Sequence, residues 1–266
     1  MAKRTAISAL FLDFDGTISH VEATMETAQP TRLVQDTLHK IAKRIPVAMV
    51  TTKDMQFIRE KTPFAWAWAA VGGLEIRFGD RVLTSPRTES RRSLFEKLSE
   101  RLDMKVKKID RSIRVERKAL SSGRLVGICI DWRLAKDWNA VRRRVEGLLN
   151  PFKKHRFSIL RYPSRPYVDI YPKRIDKRRA FLVLKREMGI VGPTMYMGDS
   201  KLDEPAFQVA DVSIGVVHSE SPSELSSRFF VEFDHIGHFL AELYSNNIVF
   251  DPESRWLVLN ESEENR

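Results

Sequence analysis

The chain has 266 residues, of which 42% are hydrophobic and 30% charged, an ordinary composition for a globular protein. Its 12 Gly, 12 Pro and single cysteine exclude collagen-like, low-complexity and disulfide-scaffold proteins. The 45 Lys and Arg outnumber the 35 Asp and Glu and give a formal net charge of +10, which raises nucleic-acid binding as one interpretation.

The first part of the chain predicts a parallel sheet. Residues 7–14 form a nearly continuous apolar run, which is typical of a strand buried on both faces. Strand-like and helix-like stretches then alternate, and this indicates right-handed βαβ units in a Rossmann-like α/β core. The predicted strands are 7–14, 46–50 and 64–71, and the predicted helices are 31–44 and 53–61.

After Gly72-Gly73 the pattern changes to β-rich runs mixed with amphipathic helices, which predicts an α+β module. Residues 76–172 hold 25 Lys and Arg against 11 Asp and Glu, a balance of +14, whereas the rest of the chain has a balance of −4. We therefore predict an inserted α+β cap domain at 76–172. Its predicted elements are a hairpin at 74–82, strands at 112–119, 125–132, 158–161 and 167–170, and helices at 90–102 and 138–149.

After Pro172 the alternating pattern returns, so the predicted core consists of residues 1–75 and 173–266. The predicted elements are helices at 176–188, 204–210 and 235–244 and strands at 194–197, 212–217 and 229–233.

Two carboxylates follow the first predicted strand. Asp13 and Asp15 lie two residues apart, and Gly16 permits a tight turn. Carboxylates beside a core are costly unless a metal ion or a reaction uses them, although a solvated turn with a helix cap at Thr17 is the structural alternative.

Three further candidate positions follow along the core. A hydroxyl at Thr51 can donate to a phosphoryl oxygen or cap a helix, and the ammonium of Lys177 can neutralise a phosphate or lie in solvent. Asp199 and Asp203 follow another apolar strand, and an oxygen-only carboxylate cluster suits Mg²⁺, with an acidic helix start as the alternative. Ligands bind beyond the carboxyl ends of strands in open α/β sheets, so we expect these positions to meet.

The order of these motifs resembles that of the four motifs of the haloacid dehalogenase superfamily of phosphohydrolases. In chain order they are Asp13-Phe14-Asp15-Gly16-Thr17 after the first strand, the hydroxyl of Thr51, Lys177, and the run from Gly198-Asp199 to Asp203. The resemblance implies the superfamily's fold and a phosphatase that works through an aspartyl-phosphate intermediate.

The resemblance also implies roles for these side chains. Asp13 would be the nucleophile, Asp15 the general acid and then base, and Thr51 and Lys177 the groups that hold the phosphoryl group. Asp199 would bind Mg²⁺ together with Asp13 and the backbone carbonyl of Asp15. Asp203 would not contact the ion and would instead orient metal-bound water or Lys177.

The large α+β insert between the second and third motifs is similar to the cap of sugar-phosphate phosphatases, and most similar to that of the trehalose-6-phosphate phosphatase family. The cap stretch around Glu116 and Lys118, and the strand ending in Asp131-Trp132-Arg133, resemble that family's cap. Glu116, Lys118 and Arg133 are therefore candidate substrate contacts, with an ordinary charged hairpin face as the alternative. The chain departs from the family's pattern at Thr52-Lys53, where Gly-Arg is usual, and at Ser200, where an aspartate is usual.

The resemblance implies a Mg²⁺-dependent phosphatase that hydrolyses a sugar phosphate, with trehalose 6-phosphate as the first substrate to test. Mannosyl-3-phosphoglycerate and sucrose-phosphate phosphatases are the alternatives within the class. A protein that binds nucleic acid or another polyanion through its basic cap is the alternative outside it, and we regard it as the weaker one because the cap has no nucleic-acid motif.

We expect a cytoplasmic protein with no membrane partner. Cys129 can form no internal disulfide, and the longest apolar run, residues 64–71, is far below the roughly 20 residues that span a bilayer. The sequence leaves the oligomeric state open.

Overall fold

A computed structural model describes residues 3–85, 92–162, 165–218 and 225–260. The chain divides into two compact units, Met1–Leu83 with Asp176–Arg266, and Thr84–Ile175. The first division falls eight residues later than the sequence analysis placed it, and the second falls three residues later. The first boundary is later because the hairpin predicted at 74–82 belongs to the sheet of the first unit. It extends that sheet by antiparallel pairing, from Ala67↔Phe78 to Ala70↔Glu75.

The first unit is built on a nine-stranded sheet. Its strands are β2 (Ala9–Leu12), β3 (Val47–Val50), β4 (Ala67–Ala70), β5 (Glu75–Phe78), β6 (Arg81–Thr84), β11 (Thr194–Gly198), β12 (Val212–Val217), β13 (Phe229–Glu232) and β15 (Leu257–Leu259), and a separate antiparallel pair joins β1 (Thr5–Ala6) to β14 (Val249–Phe250). The strand order is β15-β13-β12-β11-β2-β3-β4-β5-β6, with parallel pairing from β13 through to β4. All residues of β2 and β3 are buried, which confirms the prediction of parallel core strands.

In the described part of this unit the helices are α1 (Arg32–Ala42), α2 (Met55–Lys61), α6 (Lys177–Glu187), α7 (Glu204–Phe207) and α8 (Ile236–Ser245). Helix α6 packs on the face of the sheet to which Ala9 and Phe11 point, because its buried residues share one hydrophobic cluster with them. The rings of Phe11 and Phe181 lie 4.3 Å apart. Side chains alternate along a strand, so Asp13, two residues after Phe11, is directed to the same face as the start of α6.

The second unit contains an antiparallel four-stranded sheet and three helices. Its elements are α3 (Arg92–Val106), β7 (Arg114–Ala119), β8 (Leu125–Asp131), α4 (Trp138–Leu148), α5 (Asn150–Lys154), β9 (Ser158–Arg161) and β10 (Tyr167–Tyr171), in the sheet order β7-β8-β10-β9. One face of this sheet packs against the helices through Ile128, Ile130, Val168 and Ile170. This is the predicted α+β module, and the start of its first predicted helix, at residue 90, lies outside the described residues.

The opposite face of the four-stranded sheet is polar. Glu116 and Asp169 both pair with Cys129 in the strand register, so all three side chains point to that face. The sheet thus has an apolar side, which forms the core of the unit, and a polar side, which carries two of its carboxylates.

Periodicity did not predict β1, β14, β15 or α5, which have two to five residues each and are too short to show a repeat. Among the residues that the structure describes, no helix is long and apolar enough to cross a membrane.

Replacement of Phe181 by Ala tests the packing of α6 on the sheet. Phe181 is fully buried against Phe11, so we expect Phe181→Ala to lower the free energy of unfolding by about 3–5 kcal/mol in urea titrations. The matched control is Leu182→Ala on the next residue, which is 44% exposed and should cost much less. Equal losses for the two variants would contradict this packing.

Candidate active site

The loop after β2 places Asp13 and Asp15 at the carboxyl end of the central strands. The backbone N–H of Asp13 donates to Met197 O on the neighbouring strand at 2.9 Å, which holds the start of the loop in the sheet. Gly16 has φ +70°, a conformation that favours glycine, and turns the chain there. Thr17 is fully buried, and between residues 3 and 31, all of which the structure describes, no helix begins. The alternative of a solvated turn with a helix cap at Thr17 is therefore not observed.

A buried ion cluster connects Asp13 to two other predicted residues. Lys177, at the first position of α6, lies with its Nζ 2.8 Å from Asp13 Oδ2 and 2.6 Å from Asp203 Oδ1. Only 2% of Lys177 is exposed, so it is not a solvated helix lysine. Burial alone would lower the pKa of Lys177, but Asp13 and Asp203 outweigh it and hold that pKa above its ordinary value.

Asp203 is saturated with hydrogen-bond donors. Its Oδ1 accepts from Lys177 and from the Tyr196 hydroxyl at 2.6 Å, and its Oδ2 accepts from the Ser200 backbone N–H at 3.1 Å and hydroxyl at 2.7 Å. Asp203 occupies the N-cap position of α7 and Glu204 lies in the first turn, but the Asp203 side chain makes no cap hydrogen bond to the helix. Ser200, which stands where the resembled family usually has an aspartate, therefore serves to anchor Asp203.

The protonation of Asp13 is strongly perturbed. Burial raises its pKa to about 7, because the lowering effect of Lys177 is opposed by the negative charges of Asp203 and Asp15. A second positive charge beside Asp13 would favour its ionised form. The cluster therefore has the electrostatic character of a cation site.

A third carboxylate lies beside this pair. Oxygen atoms of Asp13, Asp199 and Asp203 all lie within 4.8 Å of one another. The Asp199 carboxylate packs so tightly on the Gly16 backbone that a Cβ at Gly16 would lie 2.0 Å from Asp199 Oδ2. Since the oxygens of Asp203 are already used by donors, Asp13 and Asp199 are the carboxylates that fit an oxygen-liganded ion such as Mg²⁺.

The predicted hydroxyl residue follows β3. Thr51 is fully buried, and its Oγ1 accepts from the Lys53 backbone N–H at 3.2 Å. Asp54, and not Thr51, caps α2, so the capping alternative for Thr51 is not observed. Backbone hydrogen bonds from Val71 and Gly72 to Lys53 and Thr51 tie this loop to the one after β4.

Two residues that the sequence analysis gave no role also lie in the site. Lys53 Nζ lies 3.4 Å from Asp15 Oδ1, and His218 Nε2 lies 2.9 Å from Gly16 O. Lys53 occupies a position where the chain departs from the resembled family, and that departure was the only signal for it. Nothing in the sequence around His218 marks it.

The three predicted cap residues lie in the second unit, on β7 and just after β8. Lys118 is 4% exposed, and its Nζ donates to Asp169 Oδ1 at 2.9 Å and to the Tyr171 hydroxyl at 3.1 Å, so it forms a buried ion pair and not an ordinary charged hairpin face. Arg133 forms an ion pair with Asp131 at 2.7 Å. Glu116 Oε1 is buried and has no hydrogen-bond partner among the described residues.

The sheet topology and the strand-end cluster together define a class of fold. The chain has the fold of the haloacid dehalogenase superfamily, as solved structures at low identity show. The C-terminal domain of C. albicans trehalose-6-phosphate phosphatase superposes with a TM-score of 0.73 at 14% identity, over 91% of this chain and 93% of that one. A haloacid dehalogenase subclass IIB sugar phosphatase superposes with a TM-score of 0.57 at 13% identity, over 91% of this chain and 99% of that one.

Curated proteins similar in sequence are trehalose-phosphate phosphatases, so the resemblance predicted from the motifs is confirmed. A probable trehalose-phosphate phosphatase of Arabidopsis thaliana is 26% identical over 251 residues, which cover 88% of this chain and 66% of the relative. A trehalose 6-phosphate phosphatase of Zea mays is 22% identical over 242 residues, which cover 83% of this chain and 64% of the relative. The chain thus spans slightly less than two thirds of these relatives' length. No protein-family model matches it.

Replacement of Gly16 by Ala tests the close approach of Asp199. Gly16 and Gly79 both have positive φ, but a Cβ at Gly79 would meet no atom within 4 Å. We expect Gly79→Ala to cost about 1 kcal/mol of unfolding free energy from backbone strain alone. Gly16→Ala should cost about 2–4 kcal/mol because overpacking against Asp199 is added, as measured by urea unfolding. If both variants lost the same stability, the tight contact would be refuted.

Proposed function

We propose that the protein is a Mg²⁺-dependent phosphatase that hydrolyses a sugar phosphate through an aspartyl-phosphate on Asp13. The observation that carries this proposal is the buried Asp13–Lys177–Asp203 cluster with Asp199 beside it, at the carboxyl ends of adjacent parallel strands. The trehalose-phosphate phosphatase activity for which the similar proteins are named supports the same reaction class.

The proposed Mg²⁺ ligands are Asp13, Asp199 and the backbone carbonyl of Asp15. They fit the ion because they are oxygen donors in an excess of negative charge, and because Gly16 leaves room for the Asp199 carboxylate. When bound, Mg²⁺ neutralises charge so that an anionic carboxylate and an anionic phosphate can approach each other.

Asp13 and Asp15 divide the chemistry between them in this proposal. A carboxylate oxygen of Asp13 attacks phosphorus, the bond from phosphorus to the sugar oxygen breaks, and Asp15 gives its proton to that oxygen. Asp15 then takes a proton from water, whose oxygen attacks phosphorus, and Asp13 and inorganic phosphate are released. Lys53, 3.4 Å from Asp15, is placed to hold this side chain when it is ionised.

Lys177 and Thr51 bind the transferring phosphoryl group in the proposed reaction. Lys177 donates to Asp13 Oδ2 and so orients the nucleophile, and its charge also opposes that of the phosphoryl oxygens. Asp203 touches no reacting atom and instead fixes Lys177, since its remaining lone pairs are used by Tyr196 and Ser200.

Trehalose 6-phosphate is the proposed substrate, which would place the protein in trehalose biosynthesis. The basis is the resemblance of the cap sequence to that of trehalose-6-phosphate phosphatases, together with the similarity of the whole chain to proteins named as trehalose-phosphate phosphatases. Mannosyl-3-phosphoglycerate and sucrose phosphate remain the alternatives within the class. The cytoplasm is the proposed compartment, which suits the buried free thiol of Cys129.

Glu116 is the proposed sugar contact among the three cap residues. Its buried oxygen without a partner favours a ligand hydroxyl group as donor. Lys118 and Arg133 are already paired with Asp169 and Asp131, so we assign them a supporting role.

Asp13→Asn tests the nucleophile. Because Asn has the same shape and can still accept a hydrogen bond from Lys177, we expect a folded protein whose Mg²⁺-dependent hydrolysis of an aryl phosphate falls by on the order of 10³-fold or more. The control is Asp36→Asn at an exposed position on α1, with circular dichroism as the check on folding. Substantial activity in Asp13→Asn would sink the mechanism.

Glu116→Gln tests the sugar contact on a panel of sugar phosphates, with phosphate release as the readout. We expect trehalose 6-phosphate to have the highest kcat/KM, and Glu116→Gln to lower it about tenfold while leaving hydrolysis of an aryl phosphate unchanged. Glu100→Gln, at an exposed site on α3, is the matched control. An equal loss on both substrates would argue against a sugar contact.

Polyanion binding is the second candidate because the second unit is strongly basic. Residues 84–175 hold 25 Lys and Arg against 10 Asp and Glu. Its exposed basic residues include Lys97, Arg101, Lys105, Lys108, Arg143, Arg144, Lys154 and Arg156.

A salt titration with a labelled DNA duplex separates the two candidates. Under the phosphatase proposal we expect only weak binding that disappears between about 50 and 200 mM salt, because it consists of phosphate contacts alone. Tight binding that survives 200 mM salt would favour the polyanion candidate.

A further inference from the structure

His218 lies one residue beyond β12, at the same end of the sheet as the carboxylate cluster. Its Nε2 is 2.9 Å from Gly16 O and 4.0 Å from Asp199 Oδ2. A carbonyl oxygen can only accept, so Nε2 carries the proton and donates to Gly16. One ring edge of His218 therefore faces both the turn after the nucleophile and a proposed Mg²⁺ ligand.

The strand order explains how His218 reaches these two groups. β12, β11 and β2 are adjacent parallel strands, and they carry His218, Asp199 and the Asp13–Gly16 turn beyond their respective ends. His218 thus connects the loop after β12 to the loop after β2. The loop that carries Asp199 follows β11, which lies between those two strands. No backbone hydrogen bond of the sheet could make this connection, because β12 and β2 do not pair.

Aromatic neighbours hold the His218 ring in place. Phe233, which follows β13, stacks on it with centroids 5.1 Å apart and an interplanar angle of 23°. His20 approaches with centroids 6.4 Å apart and the rings close to perpendicular. A ring with stacked and edge-on neighbours has few accessible rotamers, so its N–H is directed before any ligand arrives.

The Gly16 turn and Asp199 have to keep a close mutual position. There is no room for a Cβ between Gly16 and the Asp199 carboxylate, and Asp199 sits next to Asp13 in the carboxylate cluster. These carboxylates repel one another, so without a brace the loops would relax apart. The hydrogen bond from His218 to Gly16 opposes that relaxation from the far side of β11.

We propose that His218 is a positioning residue that preorganises the Gly16 turn and Asp199 for Mg²⁺. The inference rests on the proposed function, since it concerns the ion that this function requires. Residues that orient metal ligands without touching the metal typically change metal affinity by 10–100-fold when they are replaced.

The experiment measures Mg²⁺ affinity directly by isothermal titration calorimetry, with no substrate present. His218→Phe keeps a flat ring for stacking on Phe233 but has no N–H, and we expect its Mg²⁺ dissociation constant to rise about tenfold. His218→Gln places an amide N–H where Nε2 was, and should recover most of the affinity. The matched control is His235→Phe, whose ring contacts Trp256 and Glu232.

Kinetics on an aryl phosphate give the second readout. We expect His218→Phe to need about tenfold more Mg²⁺ for half-maximal rate but to keep kcat within about threefold at saturating Mg²⁺, a split that a general loss of folded protein would not produce. Melting temperatures in EDTA compare folding, and the Gln variant keeps the test valid if the Phe variant is unstable.

The outcomes separate the two levels of the proposal. Wild-type affinity for Mg²⁺ in His218→Phe, as in His235→Phe, would overturn the role of His218 alone. A wild-type protein that binds no Mg²⁺ would overturn the proposed function and this inference together. Failure of His218→Gln to recover affinity that His218→Phe has lost would overturn the assignment to the Nε2 hydrogen bond.

Discussion

The candidate site depends on one buried ammonium group between two buried carboxylates. Lys177 bonds to Asp13 and Asp203, and all three residues are buried, so the ammonium is the main partner of both negative charges. Removing any member of such a cluster leaves an uncompensated charge, which is far more costly than losing a surface ion pair. The ends of β2, β11 and α6 are therefore held together by electrostatics as well as by packing.

The parallel sheet explains why this cluster can exist at all. The buried strands β2, β3 and β11 are followed at the carboxyl edge by Asp13, Thr51 and Asp199, respectively. Strand alternation sends Asp13 to the face that α6 covers. Phe181 and Ala180 pack α6 against the sheet, which brings Lys177 to Asp13. Packing in the core thus sets the geometry of the chemistry at its edge.

The two units differ in their net charge and in where their charged side chains lie. Residues 84–175 have a balance of +15, whereas the other unit has a balance of −5 and concentrates carboxylates at the strand ends. Within the basic unit, Lys118 is neutralised by Asp169, with Tyr171 and Tyr162 also bonded to that carboxylate. Much of its surplus charge lies on exposed helix residues such as Lys97, Arg101 and Arg143.

The sequence alone determined the α/β core, the inserted α+β module and the strand-end positions of Asp13, Thr51 and Asp199, because these depend on local apolar runs and on the shared edge of parallel strands. It also placed Lys177 at the start of a helix. Only the tertiary structure decided which side chains surround them. Gly16 and His218 are 202 positions apart, and Lys177 and Asp203 are 26 apart. No periodic pattern encodes such pairs, because they arise from the order of strands in the sheet and from the seating of α6. The hairpin of β5 and β6 belongs to the core sheet because β5 pairs with the edge of β4, a contact that the local sequence pattern does not encode.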